Sequence, residues 1–180
     1  MEKTRPTLLM MAGLPGAGKT TLAHALSCEL GWHVVDKDAH KEVLLEHRID
    51  AELAGHLAYE LAFRTLRDKL VKQQTSVIFD TAALQPFIID RVKEIVNSIE
   101  DAQLRIILCV ADRDLRHQRV ITRPKQPTTI RADPATLADY FYVFRHLPAD
   151  ILTLQTRNPF RECLKAALAY VCTDVVSKLS

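Results

Sequence analysis

Gly13-Leu14-Pro15-Gly16-Ala17-Gly18-Lys19-Thr20 is the stretch whose residue types and spacing most directly imply chemistry. It fits G-x-x-x-x-G-K-[ST], the Walker A pattern. Glycine enters positive φ without strain and lets successive backbone N–H groups close on phosphate oxygens. A helix that begins at such a loop aims its positive dipole end and its unbonded N–H groups at the same anion. Lys19 is then placed to reach the β- and γ-phosphates of a nucleoside triphosphate, and the Thr20 hydroxyl to ligate Mg²⁺. The residues expected to bind ATP run from Gly13 through Leu14, Pro15, Gly16, Ala17, Gly18, Lys19 and Thr20 to Thr21, with ATP and Mg²⁺ as cofactors. The chain has only five glycines, and three of them lie within positions 13–18. At an average glycine content of about 7%, that clustering marks a built loop.

The loop needs a strand before it and a helix after it, and the pattern supplies both. Leu8–Ala12 is a short apolar run suited to a buried strand. After Lys19, Leu22, Ala23, Leu26 and Leu30 recur at helical spacing until Gly31 stops them. Further strands are expected at Trp32–Val35, Ser76–Phe79, Leu104–Val110 and Asp150–Leu154. The third of these, LRIILCV, reads as fully buried. Helices are expected over 37–47, with Val43, Leu44 and His47 on one side, and over 51–72, with a stripe of Leu53, Leu57, Leu61 and Leu70. Others follow at 86–98, opened by Pro86, at 113–123, from Asp133 to His146, and at 159–179. Strands alternating with helices predict an α/β three-layer sandwich: a five-stranded parallel sheet, covered on both faces and joined by right-handed crossovers. No repeat or Pro/Gly/Ser linker divides the chain, so residues 1–180 read as one domain.

Composition excludes several classes of function. Lys and Arg number 24 and Asp and Glu 22, a net charge of +2 that makes neither nucleic acid nor an anionic membrane the evident partner. Apolar residues at 48% and charged residues at 26% exclude a disordered chain. Cys28, Cys109, Cys163 and Cys172 lie far apart, without the spacing of a disulfide framework or a zinc site. Cys109, inside a strand, reads as a small buried hydrophobe. Tyr140, Phe141, Tyr142 and Phe144 read as core rather than as a stacking platform. No apolar run is long enough to span a bilayer, so the expectation is a soluble cytoplasmic protein.

GLPGAGKTTLA, followed by a second strand with Asp38 just beyond it, resembles the small P-loop kinases. Within them it is most similar to the AAA_33 group, which includes polynucleotide 5′-kinases, zeta toxins and chloramphenicol phosphotransferase. The resemblance implies strand order 2-3-1-4-5, a small lid near residues 113–133, and transfer of the γ-phosphate of ATP to a hydroxyl. It implies that Asp38 is the base receiving the proton of the attacking hydroxyl. A carboxylate at the C-terminal end of a strand beside the phosphate loop points into the crevice where ligands bind. Asp36 stands beside it, and either aspartate could be that base; the plain alternative is an Asp that caps a helix. Lys41 takes the place of a substrate-binding arginine, a departure that replaces a bidentate fork by a point charge. Asp80 ends the run VIFD, and the resemblance puts it near Mg²⁺ or the acceptor. Arg113, Arg116, Arg119 and Arg123 recur three, three and four residues apart, on one expected helix face. The resemblance assigns Arg119 and Arg123 to the lid, neutralising charge on the transferred group, while Lys125 and Arg131 of the lid loop are left without roles.

The acceptor implied is a small-molecule hydroxyl or a nucleic-acid 5′-hydroxyl, and the mild charge favours the former. The alternative is a nucleotide-dependent switch acting through a protein partner. A GTPase would carry an Asn/Thr-Lys-x-Asp motif and a motor an Asp-Glu pair, whereas Asp80 is followed by Thr81.

Overall fold

In the computed structural model of the chain, the described residues are 5–122 and 144–173. The elements run β1 (Thr7–Ala12), α1 (Lys19–Leu30), β2 (His33–Asp36), α2 (Lys37–Glu46), α3 (Ala51–Arg67), β3 (Val77–Asp80), α4 (Pro86–Asn97), β4 (Gln103–Val110), α5 (Arg113–Ile121), β5 (Leu152–Gln155) and α6 (Phe160–Cys172). Alternation of strand and helix gives one parallel sheet in the order β2-β3-β1-β4-β5, as expected. The strand order reverses beside the central β1, so the crevice for a ligand opens beyond the carboxyl ends of β1, β3 and their neighbours.

Side-chain alternation along β1 divides the core. Leu8 and Met10 join Phe79, Ile106, Phe63, Leu66, Ile88 and Val92 under α3 and α4. Leu9 and Met11 join Ile78, Ile107, Leu22, Leu26, Ala167 and Val171 under α1 and α6. Every β1 side chain is buried. At about 1.5–3 kcal/mol for each large apolar side chain removed from water, this strand anchors the loop that follows it.

The helix over 51–72 differs from its expected pattern. Leu53, Leu57 and Leu61 are exposed, and the buried line is Ala54, Ala58, Ala62, Phe63 and Leu66. α3 packs against α2, and Phe63 stacks near Tyr59 and meets Phe79 of β3 edge-on. The α-helix ends at Arg67 and continues as one π-helical turn, Asp68–Lys72, which keeps Leu70 buried. Val43 and His47 of the α2 region are exposed rather than packed inward. β4 is buried only over its centre, and Gln103, Leu104 and Arg105 are half-buried, because β5 covers it from Ile107 onward. Phe144 is core, as expected. Arg123, Lys125, Arg131, the helix start at Asp133, and Tyr140 to Tyr142 lie outside the described residues, as does the end of the closing helix beyond Thr173.

Candidate active site

The phosphate loop is the turn from β1 into α1. Gly13, Gly16 and Gly18 all adopt positive φ, at 140°, 79° and 88°. Their requirements differ. A Cβ on Gly13 would stand 2.4 Å from the Cys109 carbonyl oxygen, and one on Gly16 would stand 2.5 Å from that of Arg116. Both glycines are therefore demanded by the close approach of β4 and α5. At Gly18 no protein atom would come nearer than 3.7 Å, and the left-handed backbone alone demands glycine. Gly18 is also the N-cap of α1, and no side chain caps that helix or adds an acid to its first turn. A helix N-terminus with its N–H groups left uncapped fits an anion.

Lys19 folds back to donate to the Leu14 carbonyl at 3.4 Å. Beside it Asp80, at the end of β3, is buried and lies next to the Thr20 side chain. Burial pushes the Asp80 carboxyl above its ordinary value, Lys19 and the nearby Thr20 hydroxyl oppose that shift, and the negative charges of Asp36 and Asp38 add to it. The half-buried Thr20 hydroxyl and the buried Asp80 carboxylate stand together next to a lysine. The donor set suits Mg²⁺, which takes oxygen ligands and binds through one or two carboxylates together with substrate phosphates. A further tie joins the two loops, since the Gly13 N–H donates to the Ala82 carbonyl at 3.3 Å.

The two candidate bases separate clearly. Asp36 lies opposite Asp80 in the β2–β3 register and caps α2, accepting the N–H groups of Asp38 at 2.8 Å and Ala39 at 3.3 Å. Asp38, in the first turn, has a largely exposed carboxylate, 2.7 Å from the ammonium of Lys37. Lys37 is itself buried, its ammonium 5.1 Å from the ring centroid of Tyr59. Tyr59 in turn puts its hydroxyl 3.5 Å from that of Thr81, next to Asp80. Lys41 is half-buried one turn on, with its ammonium over Gly55 of α3: a Cβ there would stand 3.9 Å from it.

The arginines of α5 do not form one solvated face. Arg113 is exposed, whereas Arg116 is buried and donates from Nε to the Ala111 carbonyl at 3.1 Å. Arg119 reaches across to the phosphate loop, donating to the Gly16 carbonyl at 3.3 Å, to the Thr156 hydroxyl at 3.0 Å and to the Thr156 carbonyl at 2.7 Å. Thr156 completes the brace by donating from its hydroxyl to the Ala17 carbonyl at 2.8 Å and from its N–H to the Val110 carbonyl at 2.8 Å. Nothing in the sequence signals Thr156, a single threonine after a short strand. Cys109, under the loop, has its thiol pushed up to about 12, first by burial, and is inert at neutral pH.

A family model described as an AAA domain, AAA_33, matches residues 8–147. The chain belongs to the AAA_33 family. Among solved structures it is similar to a provisionally named kinase from Chloroflexus aurantiacus J-10-fl, with 26% identity, a TM-score of 0.75, and coverage of 93% of this chain and 95% of that one. A gluconokinase from Sinorhizobium meliloti 1021 matches at 14% identity and TM-score 0.65, over 92% of this chain and 91% of that one. Shikimate kinase from Acinetobacter baumannii matches at 16% identity and TM-score 0.65, over 97% of both chains. The fold is thus that of the small P-loop kinases. Comparison with curated proteins gave no match. No helix among the described residues is long and apolar enough to cross a membrane.

Proposed function

We propose that this AAA_33 chain is a phosphotransferase that moves the γ-phosphate of ATP to a hydroxyl of a small molecule. One observation carries the reading: the uncapped, glycine-built start of α1 lies beside the buried Asp80, which Lys19, Thr20, Asp36 and Asp38 surround. A phosphate loop, an oxygen donor pair and an exposed carboxylate therefore share one crevice at the sheet's carboxyl edge.

In this reading the triphosphate lies along the amides of Gly13–Thr21, its γ end toward Lys19 and Asp80. Thr20 and Asp80 would hold Mg²⁺, which when bound neutralises charge on the phosphate oxygens. Asp38 receives the proton of the acceptor hydroxyl as that oxygen bonds to the γ-phosphorus. The bond from the γ-phosphorus to its bridging oxygen breaks, and its electron pair leaves with ADP. Asp36 fixes the start of α2 and so the direction of Asp38. Lys37 holds the Asp38 carboxylate from the protein side, and Lys41 and Tyr59 flank the space in front of it. Arg119 and Thr156 brace the loop on the side away from the acceptor, where the nucleoside end would lie.

The charges around Asp38 suit a polyhydroxy or carboxylate-bearing acceptor, and the kinases of similar fold are named for gluconate and shikimate. The test is phosphorylation of sugars, sugar acids, nucleosides and a 5′-hydroxyl oligonucleotide by Mg–ATP, with ADP and phosphorylated product both quantified. Stoichiometric product from a small-molecule hydroxyl supports the reading. Product from the oligonucleotide alone would reassign the acceptor, and hydrolysis indifferent to every acceptor would favour a nucleotide-dependent switch.

A further inference from the structure

The described residues hold a polar cavity at the amino end of β4, the opposite edge of the sheet from the phosphate loop. β4 has eight residues and β5 four, and they pair only from Ile107 to Val110. Among the described residues, the first half of β4 therefore has no strand on its outer side. The end of α4, the end of α6 and the approach to β5 surround the notch, leaving a cavity of about 360 Å³. That is the lower range of small-ligand sites, about 300–1,000 Å³.

Its lining has a marked bias toward donors. Lys93 of α4 and Arg105 of β4 contribute cationic groups, and Asn97 and Gln103 contribute amides. Asp150 is the single acidic residue of the lining, and neither cation has an ion-pair partner among the described residues. Arg105 is held in place rather than waving in solvent. Its guanidinium stacks on Tyr170, 5.1 Å from the ring centroid, and donates to the Thr173 carbonyl. Its Nε is buried without an acceptor among the described residues, which leave this guanidinium's hydrogen bonding incomplete. Tyr170 is also fixed, its hydroxyl accepting the Ile106 N–H at 3.4 Å and donating to the Asp150 carbonyl at 3.5 Å. The notch thus combines a positioned guanidinium, an exposed lysine and an aromatic wall.

We propose that this cavity binds a small organic anion, a carboxylate or phosphate monoester, with its charged group toward Arg105 and Lys93 and its body along Tyr170. Arg105 and Cys109 lie four residues apart on β4, about 13 Å along the strand, so the site is separate from the phosphate loop. It does not depend on the kinase reading.

Calorimetric titration of the full chain with phenyl phosphate, benzoate and inorganic phosphate tests it. Either aromatic anion should bind, about tenfold more weakly to Arg105→Leu and about threefold more weakly to Lys93→Gln. It should bind equally well to Lys19→Ala, and whichever headgroup binds tighter identifies the anion class. Lys93 is exposed, so its variant reports even if Arg105→Leu fails to fold. Binding of neither aromatic anion, binding untouched by Lys93→Gln, binding lost in Lys19→Ala, or inorganic phosphate binding as tightly as phenyl phosphate would overturn the assignment.

Discussion

The carboxylate of Asp36 accepts the backbone N–H of Asp38 at 2.8 Å, so one aspartate holds the helix that carries the other. Asp36→Ala removes a helix cap and should lower stability by about 1 kcal/mol in denaturant titration. Asp38→Asn should leave stability within about 0.5 kcal/mol and ATP affinity nearly intact while abolishing transfer. Full transfer by Asp38→Asn and none by Asp36→Asn would reverse the roles.

Two residues of the loop should separate folding from binding. Gly16→Ala drives a Cβ to 2.5 Å from the Arg116 carbonyl at positive φ and should unfold the chain at markedly lower temperature. Lys19→Ala meets no such obstacle and should keep the melting temperature while losing nucleotide affinity. Thermal melts with and without Mg–ATP read both effects.

The Arg119–Thr156 brace predicts coupling. Arg119→Met and Thr156→Val each leave loop carbonyls without their donors. Each single change should cost about 1–3 kcal/mol and weaken ATP binding. The double variant should lose less than the sum, because the two side chains bond to each other at 3.0 Å. Strict additivity would mean that they act independently.

Asp80 carries the pH dependence. Its carboxyl is raised above the ordinary value by burial, so the folded chain binds this proton more tightly than the unfolded one. Its contribution to stability is present below the ordinary carboxylate range and falls as pH rises through the raised value. Asp80→Asn should therefore raise the melting temperature of the ligand-free chain at pH 7 by roughly 2–4 °C and flatten its acid-side profile, while removing Mg²⁺-dependent ATP binding. A lower melting temperature in the variant would show that the Thr20 and Lys19 contacts outweigh burial.

Much of this site was legible because phosphate chemistry fixes its residues at short range. Gly13 to Thr20 lie on consecutive positions, and the strand and helix around them follow from apolar spacing. Asp36 and Asp38 were visible as a pair, but which one caps depends on where α2 begins, a boundary of one or two residues that spacing does not set. Arg119 was visible as part of a cationic repeat, and its contact with Gly16, 103 residues away, belongs to tertiary packing. The leucines of α3 misled for a related reason. Helical spacing cannot tell a buried row of leucines from a buried row of alanines beside it, and tertiary packing selected the alanines.

Titration of the chain with Mg–ATP is the most direct measurement of all. Saturable one-to-one binding is expected, abolished by Lys19→Ala and preserved by Asp38→Asn. Absence of binding by the folded wild-type chain, or undiminished binding by Lys19→Ala, would contradict that expectation.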